Sequence, residues 1–457
     1  MPPRRSVLEA AGEGRISADQ LTFASLPLPL AQRIFLALPM DTRARASCVC
    51  RTWRDALAEP SLWTRLVLSD RSCIDMQRLD RAAVLRGAAA RARGLLYRLD
   101  LSGIKFPTDI VLELLAANAG SLRELSLPLL PNGTVAVTLE PFVAAAPLLQ
   151  VVEVQRLLCA WEEAPRVLRA EPPFERLRLA GELEVRFSRD GRPAGDTERV
   201  SPFLIALADV TLQPALSGVH LSYLDTAQPA VMAAVVNAAL ARRLRGLMFR
   251  RCSQPAVAPL AKLLKEGSID HLRIQDTTVQ EQVALFDAAG AALVAGALRV
   301  NTTLTSLGLF GSGLCRDMQA ASTLLSALVG HPSLRVLMLS RENPPAADAG
   351  ALSTALAALV AADAPALRSL DCSRSRLREA DLATIVEALP RNRHLQELDI
   401  HGNDVSDPFW RVLWAILADH ASLRKLNNRD LATTDISAND TRDPFERMLR
   451  LLLAPRT

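Results

Sequence analysis

The chain has 457 residues, with 53 Lys and Arg against 49 Asp and Glu, a formal net charge of +4 at pH 7, and it is 49% hydrophobic but only 4% aromatic. A balance this even argues against the dense basic surface that nucleic-acid binding needs, and bulk charge names no partner. Seven cysteines without a CxxC pair and six scattered histidines argue against a zinc site and for reduced thiols in a cytoplasmic or nuclear protein.

Residues 1–20 mix Arg4, Arg5 and Arg15 with Glu9, Glu13 and Asp19 and lack the apolar core of a signal peptide, so they read as a disordered tail. Residues 21–68 follow helical grammar. Pro29 suits a first helical turn, Leu30, Ile34 and Leu38 share a face, and Pro39 stops the helix. Asp41 can cap a second helix on which Ala46, Val49, Cys50, Trp53 and Leu57 keep helical spacing up to Pro60; Leu62, Trp63 and Leu66 start a third. Leu26-Pro27, Ile34-Phe35 with Leu38, Cys48-Val-Cys-Arg51 with Trp53-Arg54, and Leu62-Trp63 stand in the order and spacing of an F-box, which this segment resembles. One feature departs from that family: Leu28-Pro29 follow the Leu-Pro pair where an acidic residue is usual. The resemblance implies docking on a Skp-type adaptor of a cullin–RING ubiquitin ligase. By the same resemblance Leu26, Pro27, Ile34, Phe35 and Leu38 face the adaptor, and Trp53 and Trp63 belong to the small domain's own core.

Residues 69–95 read as a helical linker whose Arg78, Arg81, Arg86, Arg91 and Arg93 are solvated, since no aromatic residues interleave them as a nucleic-acid surface would require. From Leu96 the pattern changes. Leu395-Gln-Glu-Leu-Asp-Ile400, followed by His401-Gly-Asn403, places three apolar residues at positions one, four and six. The last two lie on one side of a short strand and the residues between them face the other way. The pattern starts at Leu96, Leu122, Leu149, Phe174, Leu216, Leu244, Ile269, Leu304, Leu334, Leu367, Leu395 and Leu423, mostly 25 to 28 residues apart. Between the starts lie apolar segments at helical spacing, such as Val231–Leu240, Ala321–Leu328, Leu352–Leu359 and Leu382–Leu389. Strand plus helix in each unit resembles the ribonuclease-inhibitor kind of leucine-rich repeat over residues 96–428. The implied fold class is α/β, a leucine-rich-repeat solenoid with parallel strands on a concave face and helices on a convex face, behind an all-helical F-box.

The 42-residue step from Phe174 to Leu216 predicts an insertion near 183–199, with Leu183–Phe187 and Asp190-Gly191 forming a hairpin that leaves the array. Val283–Val300 is the most apolar stretch, but Asp287 and Arg299 make it a repeat helix rather than a membrane span. Residues 429–457, with the apolar and basic segment Pro444–Leu453, read as the terminal cap a solenoid needs. His401-Gly-Asn403 reads as the repeat's own turn, with Asn403 satisfying backbone groups.

No phosphate loop, nucleophile elbow or metal-ligand motif appears, and Asp371, Glu397 and Asp399 sit on an open face that would not exclude water. The expectation is therefore no catalytic residue, no metal and no cofactor. It is also a protein partner without nucleic acid or membrane. Two readings fit: the substrate-recognition subunit of a cullin–RING ligase, or a protein-binding scaffold or inhibitor with no ligase role. Aligning the variable strand positions gives acids early (Asp100, Glu124, Glu153) and late (Asp371, Glu397, Asp399). Units four to seven give Arg176, Arg178, His220, Arg250, His271 and Arg273 without an acid, a pattern that predicts an acidic or phosphorylated substrate segment there.

Overall fold

The computed structural model describes residues 27–38, 40–67, 81–103, 107–130, 135–187, 197–276, 284–342, 344–345, 348–403, 405–406, 409, 413, 420, 422–426 and 429–430. The expected tail, Leu26, Asp190-Gly191 and the expected cap beyond residue 430 lie outside them. The chain divides into two compact units, one of residues 1–155 with 176–178 and one of 156–175 with 179–457.

The first unit opens with three short helices, α1 (Leu28–Ala37), α2 (Met40–Ala46) and α3 (Arg51–Ala56). Pro29 occupies the first turn of α1, where its missing N–H costs no hydrogen bond. Ala31 and Phe35 turn inward. Trp63, fully buried, anchors the domain: its indole N–H donates to the Leu57 carbonyl at 2.7 Å, and the guanidinium groups of Arg43 and Arg91 lie over its ring at 5.8 and 5.1 Å. Arg43 also donates to the Leu38 carbonyl at 3.1 Å and to that of Leu62, so its half-buried charge is hydrogen-bonded even though desolvation pulls its pKa down.

Two expectations are corrected here. The helix predicted to run through Val49 ends at Ala46, where Ser47 Oγ donates back to the Ala44 carbonyl at 2.6 Å and draws the chain into a turn; Val49 is exposed and α3 begins after Cys50. Leu66 lies on no helix. A single 3-10 turn, Pro60–Trp63, leads into strand β1 (Arg65–Val67), which pairs in parallel with β2 (Arg98–Asp100) so that fully buried Leu66 aligns with fully buried Leu99. Helices α4 (Arg81–Ala92), α5 (Thr108–Ala117) and α6 (Val135–Ala145) alternate with β2, β3 (Glu124–Leu129) and β4 (Val151–Ala160), and β2 and β3 pair in parallel.

In the second unit the same alternation continues. After α7 (Ala164–Leu168) come β5 (Leu177–Arg186), α8 (Thr197–Ala208), β6 (Gly218–Ser222), α9 (Pro229–Arg242), β7 (Gly246–Arg250), α10 (Val257–Glu266), β8 (His271–Gln275) and α11 (Ala288–Val300). They are followed by β9 (Ser306–Phe310), α12 (Met318–Leu328), β10 (Val336–Met338), α13 (Ala349–Ala361), β11 (Ser369–Asp371), α14 (Glu379–Ala388), β12 (Glu397–Asp399), β13 (Lys425–Leu426) and β14 (Arg429–Asp430). Strands β5 to β13 pair in parallel in chain order, and β14 pairs antiparallel with β13. Their register stacks Leu183, Val219, Leu247, Leu272, Leu307, Leu337, Leu370, Leu398 and Leu426 in one inward row, none more than 3% exposed. At each full burial of such a side chain about 1.5–3 kcal/mol is gained. A strand of three to five residues reaches that only with neighbours on both sides.

Polar side chains staple successive units. Asn301 Nδ2 donates to the Leu264 carbonyl of the preceding helix at 2.5 Å while its Oδ1 accepts from Leu304 N at 2.7 Å; Asn392 does the same between Val360 and Leu395, and His420 between Leu389 and Leu423. Asn403 plays the role expected of it, donating to the Cys372 carbonyl and accepting from the N–H groups of Ser375 and Leu377. Burial pushes the Cys252 thiol up to about 12 and those of Cys159, Cys315 and Cys372 well above their ordinary value, so these cysteines are packing groups.

The predicted hairpin is replaced by continuous strand. Residues 182–186 form the second half of β5, with Leu183 beside Val219 and Val185 beside Leu221, and Leu183, Val185 and Phe187 are buried in the repeat core. Apolar alternation at these positions belongs to the ladder itself.

Two stability predictions follow from this packing. Leu307→Ala should cost about 2–5 kcal/mol by loss of buried volume, and Phe310→Ala markedly less, because Phe310 projects from the opposite face and is only half-buried; urea unfolding of the two variants checks this, and equal losses would invert the faces. Glu342 is almost fully buried, accepting from Ser312 N at 2.5 Å, Ser312 Oγ at 2.6 Å and Cys315 N at 3.3 Å, and desolvation outweighs those bonds and raises its pKa. A raised carboxyl pKa means the fold retains a proton the unfolded chain gives up. Its contribution is therefore greatest below the unfolded value near 4.5 and falls as pH rises toward the folded one. Against Glu342→Gln, which cannot ionise, the native chain should lose relative stability between pH 4 and pH 7, and a difference constant with pH in paired urea titrations would contradict this.

Candidate functional site

Two surfaces stand out, one in each unit. On α1 the buried pair Ala31 and Phe35 leaves Leu28, Leu30, Ile34 and Leu36 exposed, each by 42–56%. Four large apolar side chains on ten residues of helix form a concentration that an isolated surface rarely carries. Of the residues expected there, Ile34 is on the surface, Pro27 is exposed at the helix start, and Leu38 is half-buried. Phe35 is a correction. It is 1% exposed and meets the Trp53 ring edge-on at 5.6 Å, because the small domain needs a large side chain to fill its centre and the helix phase aims this one inward. Leu28 and Leu36 were missed by sequence reasoning, which followed the one stripe of Leu30, Ile34 and Leu38 and did not count Leu30 among the adaptor-facing residues.

The strand face of the second unit carries the other surface. Opposite the leucine row, the register aligns Glu184, His220, Met248, Arg273, Gly308, Met338, Asp371 and Asp399, with Arg186, Ser222, Arg250, Gln275 and Phe310 one step further along. Acids are present in this stretch, against expectation. Arg156 Nη2 lies 2.7 Å from Glu184 Oε2 and 3.4 Å from His220 Nδ1. Because arginine only donates, Nδ1 accepts and Nε2 carries the hydrogen that faces Glu182 at 3.3 Å. That bond, helped by the charges of Arg156 and Arg273, holds the Glu182 carboxyl below its usual range in spite of partial burial. His271 is likewise committed, at 2.5 Å from Asp270, which also binds Arg245 at 2.5 Å.

Arg176 and Arg178 are not brought to these residues. They belong to the first unit, where Arg176 donates to the Pro147 carbonyl at 3.4 Å and Arg178 is exposed. The reason is strand length: β5 has ten residues, so its pairing with β6 begins at Glu182, eight positions after the repeat start at Phe174 instead of the usual two. Arg186, Glu182, Glu184 and Arg156 therefore went unassigned, although alternation from Leu183 marks Glu184 and Arg186 as outward. The late acids are paired as well, Glu397 with Lys425 at 2.6 Å and Asp399 with His401 at 2.5 Å. Among the described residues no cluster of His, Cys, Asp and Glu could hold a metal ion, and no helix is long and apolar enough to cross a membrane.

Comparison with known proteins matches the F-box-like family over residues 23–69. Similar curated proteins include the putative F-box/LRR-repeat proteins 23 and 22 of Arabidopsis thaliana, 25% identical over 37% of this chain and 28% over 35%, and F-box/LRR-repeat protein 21 of Ovis aries, 35% identical over 14%. These alignments span 37%, 51% and 14% of the relatives' own lengths. Among solved structures, the Rad7 and Elc1 complex in yeast aligns over 79% of this chain and 89% of that one, with 15% identity and a TM-score of 0.41, too low to add to the assignment. Residues 23–69 thus match an F-box-like domain, and the strand-and-helix array behind it has the architecture of a leucine-rich-repeat solenoid.

Proposed function

We propose that this protein is the substrate-recognition subunit of a cullin–RING ubiquitin ligase, with α1 docking a Skp-type adaptor and the outward strand face holding the target protein. The observation that carries the reading is the apolar surface of Leu28, Leu30, Ile34 and Leu36 on a helix whose own core contact is already made by Phe35. Covering such side chains by a partner helix bundle would recover the hydrophobic free energy their exposure forfeits. The chain itself performs no chemistry in this reading. Its task is to hold a target near a ligase that other subunits supply.

Leu30→Asp with Ile34→Asp should reduce binding to a purified Skp-type adaptor to the detection limit in titration calorimetry while leaving the thermal transition in place, because both side chains are exposed. Phe35→Ala should behave differently, lowering stability by about 3–5 kcal/mol as a buried aromatic does. Undiminished adaptor binding by the double variant would refute the docking face. Failure of the unaltered chain to bind any adaptor would favour the scaffold reading.

A further inference from the structure

The side chains that staple successive units share a place and differ in chemistry. Gln213, Asn301, His331, Asn392 and His420 each stand three residues before a repeat start. Asn301 and Asn392 use an amide, which donates to the end of the preceding helix and accepts from the N–H that opens the next repeat. Gln213 likewise bridges the Val167 carbonyl at 3.2 Å and Leu179 N at 2.9 Å. At His331 the same place holds an imidazole. Its Nδ1 accepts from Ser333 N at 3.4 Å and Leu334 N at 3.2 Å, so that nitrogen carries no hydrogen and the ring hydrogen sits on Nε2. In His420 the corresponding Nε2 meets the Leu389 carbonyl at 3.1 Å and completes the staple. His331 is only 4% exposed, and its Nε2 is buried without a hydrogen bond among the described residues. The Leu298 carbonyl, at the end of α11, attracts the ring without closing that bond. Of these staples, His331 is thus the one held from a single side.

We propose that His331 is an acid-sensitive joint in the repeat array: a proton taken from solvent onto Nδ1 releases Ser333 N and Leu334 N and frees the turn into β10, while the amide staples at Asn301 and Asn392 hold. Protonation removes the lone pair that both N–H groups share and sets a buried cation against two donors. The surroundings offer that cation nothing. Helices α12 and α13 carry no ionisable residue, and α11 carries only Arg299, which is exposed. On the flanking turns Arg335 is exposed and Asp363 is paired with His394 at 2.8 Å, while Glu342, past the other end of β10, is bonded to Ser312 and Cys315. Desolvation accordingly lowers the pKa of His331, against the Leu298 carbonyl and with no charged side chain contributing. A lowered histidine pKa means that the fold holds the neutral ring. Its contribution is complete above the ordinary value of 6.5 and is lost as pH falls through that value toward the folded one. Glu342 has the opposite sign, so the joint shows itself in the difference between variants at each pH.

The test is hydrogen exchange of the full chain at pH 7 and pH 5, corrected for the intrinsic rate at each pH, on the native protein, His331→Asn and His331→Gln. Asparagine and glutamine already fill this place at 301, 392 and 213, so both variants should keep the staple and lose only its titration. In the native chain protection across residues 329–338 should fall several-fold between pH 7 and pH 5, and in both variants it should not. Peptides covering residues 301–304 and 392–395 should stay protected throughout. His420→Asn should leave the response of residues 329–338 as it is in the native chain. An equal fall in the native chain and both variants, or no fall in the native chain, would overturn the proposal. So would protection already lost at pH 7 in both variants, since an amide would then be unable to replace the neutral ring.

Discussion

Everything in the repeat region depends on the fact that a strand of three to five residues cannot bury its own apolar side chains. Leu307 or Leu370 is covered because Leu272, Leu337 and Leu398 lie beside it in register and a helix lies behind it. Backbone hydrogen bonds and the inward leucine row therefore form together or not at all, which is the coupling expected of a stacked array. The same register that fixes the inward row leaves every alternate side chain outward, where packing places few demands on it. Charge and shape on that face can vary from unit to unit without loss of the fold. That freedom is what lets one scaffold present the paired acids of β5, the arginines of β5 to β8, and Phe310 and Met338 on β9 and β10.

The helical domain works under a different constraint. It is too small to hide all its apolar residues: Phe35 and Trp63 use the available interior, and Trp53 is half-buried against Phe35. Arg43 and Arg91 on the faces of Trp63 complete that interior with cations whose stems pack and whose charges find carbonyls or rings. What remains of α1 is surplus hydrophobic surface, of the kind that marks interaction sites in soluble proteins.

The amino-acid pattern alone revealed much of this. All twelve repeat starts are buried and each precedes a strand, because one apolar triplet repeated twelve times leaves little ambiguity of phase. Where the pattern was local it misled. Leu66 opens an apolar run of only three residues and its strand is defined by pairing with β2; the break at Ser47–Val49 depends on a hydroxyl bonding back to Ala44; and Phe35 and Ile34 are neighbours whose inward and outward roles are decided by helix phase within a three-helix core. The outward arginines were partly legible. Arg250 and Arg273 follow from the usual offset, while the ten-residue β5 shifts the pairing and exchanges Arg176 and Arg178 for Glu184 and Arg186. Spacing counts residues, and register is set by hydrogen bonds that no count contains.

If α1 docks an adaptor and the strand face binds a target, the two surfaces have separate jobs. Hydrogen–deuterium exchange of the full chain with and without a purified Skp-type adaptor measures this directly. Exchange should slow in peptides covering residues 28–37 and stay unchanged across residues 218–222, 246–250 and 271–275. Protection on those strands with none on α1 would contradict it.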